Sequence, residues 1–195
     1  VLYDFLREND VSFMQFVPCI EPGVRGKPAP YSITPEDYGD FLCELFDRWV
    51  LDWPNISIRD FDQLLLTTIN RPGCICMHGE ICNHYLVVEH TGDVYPCDFF
   101  VQPELKLGNI MDNTLEELAQ MEKRAEFAAG KSDHGNTCAE CPWLSYCHGG
   151  CIKHRVVLGG QTCDPSYFCK SYQQLYEHSI ETVKSLAAKL PPQQI

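Results

Sequence analysis

Residues 138–151 read CAECPWLSYCHGGC and contain four cysteines. The short loop between Cys138 and Cys141 lets two sulfurs reach one metal centre. Gly149 and Gly150 let the backbone approach that centre without a clash from a Cβ atom. The stretch therefore predicts a metal site built from thiolates.

A looser group of three cysteines lies upstream, at Cys76, Cys82 and Cys97. Residues 85–95 have the pattern of a β-hairpin, with Thr91-Gly92-Asp93 at its turn. Such a hairpin would bring Cys97 back towards the other two cysteines. The three thiolates still need a fourth ligand to complete a site.

With a last ligand at Cys169 or Cys163, the chain offers eight thiolates. Eight thiolates are enough for two [4Fe–4S] clusters, each bound by four cysteines. Spacing alone does not divide the eight cysteines into two sets. Structural zinc also stays open at this point, because four-cysteine zinc sites use CxxC pairs and stabilise small domains in the same way.

The composition favours metal binding in an unexported chain. There are twelve cysteines among 195 residues, and proteins inside the cell keep such thiols reduced unless a metal holds them. The sequence opens at Val1 without a basic region followed by an apolar core, and no apolar stretch approaches membrane-spanning length. We therefore expect a soluble, cytoplasmic chain without membrane contact. The alternative, a secreted disulfide framework, agrees poorly with the long helical stretches at both ends.

The net charge of −12 is spread along the sequence, without a cluster of Lys or Arg residues. Proteins that bind nucleic acids use such clusters to neutralise phosphates. We therefore expect no nucleic-acid partner.

The N-terminal part has the pattern of an α/β fold. Residues 13–17 form a short apolar run that is typical of a buried parallel strand. Thr34 and Pro35 predict the start of a helix, and apolar residues at three-and-four spacing follow them. A second helix is predicted over residues 60–69. The composition of the sequence changes near residue 72, where the cysteines begin to cluster.

Further helices are predicted between and after the cysteine clusters. The capping box from Thr114 to Glu117 predicts a helix that runs to about Phe127. Residues 130–136 then have the composition of a flexible connector. Apolar residues at helical spacing predict a last helix that ends at Pro191-Pro192.

The order of these motifs resembles a known family. The spacing Cys76-x5-Cys82-x14-Cys97 is followed by Gly108-Asn109-Ile110, by residues 138–151 and by a final Cys169. It resembles the SPASM domain of radical S-adenosylmethionine (SAM) enzymes that modify peptides, and the anaerobic sulfatase-maturating enzymes fit best. The segments Tyr95-Pro96-Cys97-Asp98-Phe99 and Cys147-His148-Gly149-Gly150-Cys151 support the resemblance.

The resemblance implies two auxiliary [4Fe–4S] clusters. In this family, the last of the four close-packed cysteines crosses over to the first cluster. The implied ligands are Cys76, Cys82, Cys97 and Cys151 for cluster I, and Cys138, Cys141, Cys147 and Cys169 for cluster II. Ligation of each cluster by four cysteines leaves no iron open for substrate, so the implied role is electron transfer.

The resemblance also assigns a catalytic role to Asp98, as the general base that takes a proton from the substrate thiol. A buried carboxylate beside an anionic cluster is expected to have a raised pKa, which suits proton acceptance near neutral pH. From the residues alone, an Asp that caps a turn after the hairpin is the alternative.

The implied fold class is α/β. Residues 1–72 would form the last part of a partial TIM (β/α) barrel, residues 73–170 a small α+β SPASM domain, and residues 171–195 a C-terminal helix. The predicted strand would be a late barrel strand, and its end at Phe16 and Val17 would border the adenine of SAM.

The sequence contains no CxxxCxxC motif, which in this family holds the cluster that cleaves SAM. The chain therefore resembles the C-terminal half of such an enzyme, and we expect it to be inactive by itself. The resemblance implies a monomeric full-length parent, with SAM and a third [4Fe–4S] cluster. That parent would oxidise an active-site Cys or Ser of a sulfatase polypeptide to Cα-formylglycine, with a flavodoxin or ferredoxin as electron donor.

Two other functions stay open: a SPASM maturase that modifies another ribosomal peptide, and a non-catalytic module that binds zinc or an iron–sulfur cluster. Four further cysteines are expected to be small buried residues: Cys19, Cys43, Cys74 and Cys163. Four histidines near the cysteines are expected to be solvated or hydrogen-bonded: His78, His84, His134 and His148.

Overall fold

The computed structural model describes residues 1–73 and 75–190, so Cys74 and the helix end predicted at Pro191-Pro192 lie outside the described residues. The helices are α1 (Leu2–Glu8), α2 (Pro35–Asp52), α3 (Arg59–Thr68), α4 (Leu115–Ala119), α5 (Glu122–Ala129), α6 (Asn136–Ala139), α7 (Leu144–Cys147), α8 (Ile152–Val156) and α9 (Cys169–Ala187). The strands are β1 (Phe13–Met14), β2 (Ser57–Ile58), β3 (Val87–Val88), β4 (Asp93–Tyr95) and β5 (Gly108–Asn109). Short 3₁₀ turns occur at Val24–Gly26, Cys76–His78, Asp98–Phe100, Pro103–Leu105 and Gly130–Ser132.

The N-terminal part contains a βαβ unit. Strands β1 and β2 pair in parallel, with Met14 opposite Ile58. Parallel strands need a crossover connection, and α2 provides it. Helix α2 starts where the sequence predicts, because Thr34 Oγ1 accepts a hydrogen bond from the backbone N–H of Asp37 at 3.1 Å.

The main core lies between α2, α3 and α9. Helices α2 and α9 approach closely at Gly39, where a Cβ atom would lie 3.3 Å from Ser171 Cα. The hydroxyl of Ser171 donates to the carbonyl of Pro35 at 2.6 Å. Since Cys169 is the first residue of α9, this packing fixes its position against the N-terminal part. The largest fully buried side chains of this core are Trp49, Tyr38, Tyr176, Phe46, Phe61 and Phe168.

The predicted hairpin is confirmed, and a third strand extends it. Strand β3 pairs antiparallel with β4, and β4 pairs antiparallel with β5, which the sequence did not indicate. A second, smaller core of Val94, Leu107 and Leu118 joins this sheet to α4. The sheet places Cys97 two residues after the end of its central strand, β4.

Several local predictions were wrong in their bounds. Strand β1 ends at Met14, three residues before the predicted end. The single helix predicted over residues 114–127 is two helices, although the capping box is present. Met121 between them has an extended backbone and packs against the small core. Helix α1 and the two-residue strand β2 were not predicted, because such short elements show little periodicity.

The structure contains both helices and short strands, and to that extent it agrees with the predicted α/β class. The division into residues 1–72, 73–170 and 171–195 stays a prediction, and residues from all three segments pack in the main core. No described helix has both the length and the apolar character needed to cross a lipid bilayer.

Replacing Leu118 by Ala is expected to lower the free energy of unfolding by about 2–5 kcal/mol, because the buried side chain leaves a cavity in the small core. Leu115→Ala is the matched control on the same helix, at a position that is 57% exposed. It should change the free energy of unfolding by less than about 0.5 kcal/mol. Urea unfolding under anaerobic conditions measures the free energy of unfolding of both variants. Equal losses in Leu118→Ala and Leu115→Ala would contradict a stabilising role for the small core.

Candidate metal centre

Four of the predicted ligands come together near the 3₁₀ turn at Cys76–His78. Cys76 opens that turn, Cys97 follows β4, and Cys151 is the N-cap of α8. The backbone N–H of Cys82 donates to the carbonyl of Ala128 at 3.1 Å. The thiols of Cys76, Cys82 and Cys97 all interact electrostatically with Cys151. We call these four cysteines the first thiol group.

The other four predicted ligands line a pocket between α6, α7 and α9. Cys138 lies in α6, Cys147 ends α7, and Cys169 begins α9. Cys141 Sγ accepts a hydrogen bond from Gln173 Nε2 at 3.7 Å. Charge interactions join Cys147 to the other three thiols. We call Cys138, Cys141, Cys147 and Cys169 the second thiol group.

A tight turn sends two neighbouring cysteines into different groups. Between Cys147 and Cys151, the φ angles of His148, Gly149 and Gly150 are 45°, 72° and 72°. Glycine adopts this left-handed conformation at no steric cost, whereas residues with a Cβ atom rarely do. The turn therefore lets one short stretch of sequence serve both thiol groups.

Burial raises the pKa of seven of these thiols, namely Cys76, Cys82, Cys97, Cys151, Cys138, Cys147 and Cys169. The pKa is about 11 for Cys82 and for Cys147, and about 12 for Cys97. Metal ligands must be thiolates, so a metal that binds here has to displace these protons.

Two buried cations match the negative charge that such thiolates would carry. Lys131 is completely buried, and Arg155 is 4% exposed. Burial lowers the pKa of both side chains, and thiols of the two groups oppose that effect. Buried cations are unfavourable without negative partners. The residues present therefore fit iron–sulfur chemistry with thiolate ligands.

Among residues 1–73 and 75–190, no three His, Cys, Asp or Glu side chains are arranged to share one metal ion. The ligands of an iron–sulfur cluster bind different iron atoms, so they need not meet that condition.

Asp98 lines a separate pocket of about 430 Å³, together with Cys76, Cys151 and Val17. This volume lies in the usual range for small-ligand sites. The Cys97 thiol donates a hydrogen bond to Asp98 Oδ1 at 3.4 Å. The burial expected for Asp98 is wrong, because the residue is exposed at the pocket. Burial is the largest cause of the raised pKa of Cys76. The charge of Cys151 raises this pKa further, and the negative charge of Asp98 makes a smaller contribution.

The two residues predicted to border the adenine have different surroundings. Val17 is exposed and lines the same pocket as Asp98. Phe16 packs edge-on against Phe41 of α2, with ring centroids 5.4 Å apart. Gln15 and Arg59, which sequence patterns did not single out, also line the pocket, and they share a hydrogen bond of 2.9 Å.

The other described cysteines are not the buried residues that were expected. Cys19 is exposed, and Cys43 and Cys163 are half-buried. His78 also differs from the prediction, because it is buried and its Nδ1 has no hydrogen-bond partner among the described residues. Burial lowers the pKa of His78 to about 3, so its imidazole is neutral near pH 7.

Comparison with known proteins identifies the cysteine-rich region. A family model described as SPASM, an iron–sulfur cluster-binding domain, matches residues 76–142. A cysteine-type anaerobic sulfatase-maturating enzyme of Clostridium perfringens is 36% identical over 190 residues, which cover 95% of this chain and 51% of that protein. Residues 76–142 thus match a SPASM domain, and the chain is similar to about half of the length of these maturases. The SPASM match ends before Cys147, Cys151 and Cys169.

One serine-type maturase matches the chain about as well as the cysteine-type enzyme does. A serine-type enzyme of Bacteroides thetaiotaomicron is 35% identical over 213 residues, covering 98% of this chain and 51% of that protein. The solved structure of native anSMEcpe with bound AdoMet and Cp18Cys peptide matches with a TM-score of 0.85 and 34% identity. That match covers 95% of this chain and 53% of the other. The chain thus spans about half the length of the relatives that it matches.

Replacing Gly149 by Ala is expected to disturb both thiol groups, because a Cβ atom there would lie 2.3 Å from Arg155 Nη2. Gly159 is the matched control: its φ is 88°, and apart from the glycine and its two chain neighbours no described residue has an atom within 4 Å of a Cβ at that position. Gly159→Ala should cost only the strain of a left-handed residue, about 1–2 kcal/mol.

Metal analysis and thermal unfolding compare the two glycine variants. We expect Gly149→Ala to lose bound metal and to melt at a lower temperature than Gly159→Ala. Equal losses in both variants would mean that the backbone conformation matters and the contact with Arg155 does not.

Proposed function

We propose that this chain is the auxiliary-cluster half of a radical SAM oxidoreductase that converts an active-site Cys or Ser of a sulfatase to Cα-formylglycine. The observation that carries the proposal is the pocket where Asp98 lies beside Cys76 and Cys151. Oxidation of a thiol by two electrons removes a hydrogen atom, a proton and an electron. Beside the hydrogen-atom acceptor that SAM would supply, it therefore needs a proton acceptor and an electron acceptor at one place. The relationship to sulfatase-maturating enzymes supports the same reaction.

The first thiol group would bind auxiliary cluster I, and the second would bind auxiliary cluster II. The charge interactions within each group support this division. When bound, two such [4Fe–4S] clusters supply electron transfer, since four protein thiolates on each leave no iron open to the substrate.

Asp98 would accept the proton of the substrate thiol. Its Oδ1 accepts a hydrogen bond from the thiol of Cys97 in the structure. When Cys97 is a metal-bound thiolate, it has no proton to donate, and Oδ1 becomes available to another thiol. Because Asp98 is exposed at the pocket, a substrate side chain can reach it.

Residues 1–72 would be the last part of a partial TIM barrel. The parallel pairing of β1 with β2 across α2 is the repeating unit of such barrels. Active sites of TIM barrels lie at the C-terminal ends of the strands, and Val17 lies just beyond β1 in the Asp98 pocket. We propose that Val17 borders bound SAM and that Phe16, packed on Phe41, supports that strand end.

A full-length parent would supply what this sequence lacks, namely the CxxxCxxC motif with its third [4Fe–4S] cluster and the rest of the SAM site. The chain alone should therefore be inactive. A peptide bound to anSMEcpe in its solved structure supports a polypeptide substrate. We further propose a flavodoxin or ferredoxin as electron donor and a monomeric parent in the cytoplasm.

Anaerobic reconstitution of the chain should yield about eight iron and eight acid-labile sulfide per chain, as two [4Fe–4S] clusters require. Cys97→Ala and Cys141→Ala should each retain about half of both, because each removes one ligand from a different thiol group. Cys163→Ala is the control and should retain the full content. Iron and sulfide analysis after gel filtration measures all four proteins.

Two outcomes would contradict this part of the proposal. Zinc without sulfide under anaerobic expression would leave a structural metal-binding domain. Loss of all iron in both ligand variants would mean that the thiol groups do not act as separate sites.

Asp98→Asn in the full-length parent should lower the rate of formylglycine formation by about 10²–10⁴-fold, the usual contribution of a general base. The amide cannot accept the thiol proton, while the iron and sulfide content should not change. Asp112→Asn is the matched control, because Asp112 is an exposed carboxylate that does not line the pocket. Mass spectrometry of a sulfatase-derived peptide gives the rate of formylglycine formation. An unchanged rate for Asp98→Asn would exclude Asp98 as the general base.

A further inference from the structure

Lys131 is a cation in the interior of the cysteine-rich region. Its side chain is 0% exposed, and Nζ donates to the carbonyls of Cys76 at 2.6 Å and Met77 at 2.8 Å. Within the part of the chain that the structure describes, no carboxylate forms an ion pair with it. Carbonyl dipoles alone compensate a buried ammonium poorly. The negative partner must come from somewhere else.

The first thiol group would be the source of that negative charge once its cysteines bind a metal as thiolates. The largest charge interactions of Lys131 are with Cys82, Cys151 and Cys76, which oppose the effect of burial on its pKa. A [4Fe–4S] cluster with four thiolates is anionic in both of its common oxidation states, and reduction adds one more negative charge. A fixed cation beside it therefore stabilises the reduced form more than the oxidised form.

Arg155 differs from Lys131 in its position. Its largest charge interactions are with Cys138 and Cys147 of the second thiol group and with Cys82 and Cys151 of the first. Its charge therefore acts on both sites. Lys131, the other buried cation of the described residues, acts on thiols of the first group.

We propose that Lys131 is the counter-ion of cluster I and raises the reduction potential of that cluster relative to cluster II. The inference rests on the two clusters of the proposed function. It makes the cluster beside Asp98 the better electron acceptor, on the side where the substrate is bound. Lys131 is a positioning residue in this role, because it acts through the cluster and does not line the Asp98 pocket.

The test is the midpoint potential of each cluster, measured by redox titration with electron paramagnetic resonance on the full chain. Cys141→Ala isolates cluster I, and Cys97→Ala isolates cluster II. In the Cys141→Ala background, Lys131→Met should lower the reduction equilibrium constant of cluster I at least tenfold, which is 59 mV for one electron. In the Cys97→Ala background, the shift of cluster II should be less than half as large.

Two further variants separate charge from structure. Lys131→Gln keeps a donor for the carbonyls of Cys76 and Met77 but removes the charge, so it should lower the potential as much as Lys131→Met does. If Lys131→Met fails to assemble cluster I, the potential of Lys131→Gln alone tests the proposal. Lys123→Met is the matched control, because Lys123 Nζ donates to the Lys106 carbonyl at the surface, and it should shift neither potential.

The remaining outcomes overturn the proposal in distinguishable ways. An unchanged potential in Lys131→Gln with full iron content would exclude the counter-ion role and leave the clusters in place. Equal shifts in the midpoint potentials of both clusters would show that Lys131 does not act selectively on cluster I. Absence of iron and sulfide in the unsubstituted chain would overturn the proposed function itself, and this inference with it.

Discussion

The guanidinium group of Arg155 joins the loops that carry the cysteines. It donates to the backbone carbonyls of Gly149, Lys131, Thr162 and His148 at distances of 2.8–3.0 Å. These carbonyls belong to three segments of the chain that share no strand or helix. Backbone carbonyls inside a protein need donors, and here one side chain satisfies four of them. The turn that separates Cys147 from Cys151 therefore depends on a single buried cation, Arg155. Both thiol groups depend on that turn.

The two thiol groups have different surroundings, and the difference follows from the packing around them. The second group lies beside Tyr176 of α9 and Trp143, the residue before α7, and these aromatic side chains continue the main core. The first group borders the pocket that contains Asp98. Charges in apolar surroundings interact strongly because little water screens them. A cluster at the first group would face a substrate, and one at the second would face the core.

The N-terminal part supplies a rigid frame for both sites. Helix α9 packs along α2 and α3, so the residue that begins it, Cys169, is fixed by contacts with the βαβ unit. A second link between the parts is the ion pair between Lys153 and Glu21, where Lys153 Nζ also lies 4.3 Å from the ring centroid of Phe99. Phe99 follows Asp98, so this contact holds the proposed base against the loop after β1. The frame and the cysteine-rich region therefore form the Asp98 pocket together.

The sequence by itself determined the set of cysteines, the hairpin, the capped helix starts and the family resemblance, because spacings, caps and turn residues are local signals. Only the tertiary structure shows which thiols interact with one another, since spacing leaves that open, and their division into two ligand sets stays a prediction. It also showed that Asp98 is exposed and that Lys131, in a stretch expected to be a flexible connector, is buried and bonded to a carbonyl 55 positions away. Burial and charge compensation depend on contacts between distant segments, and no local pattern records them.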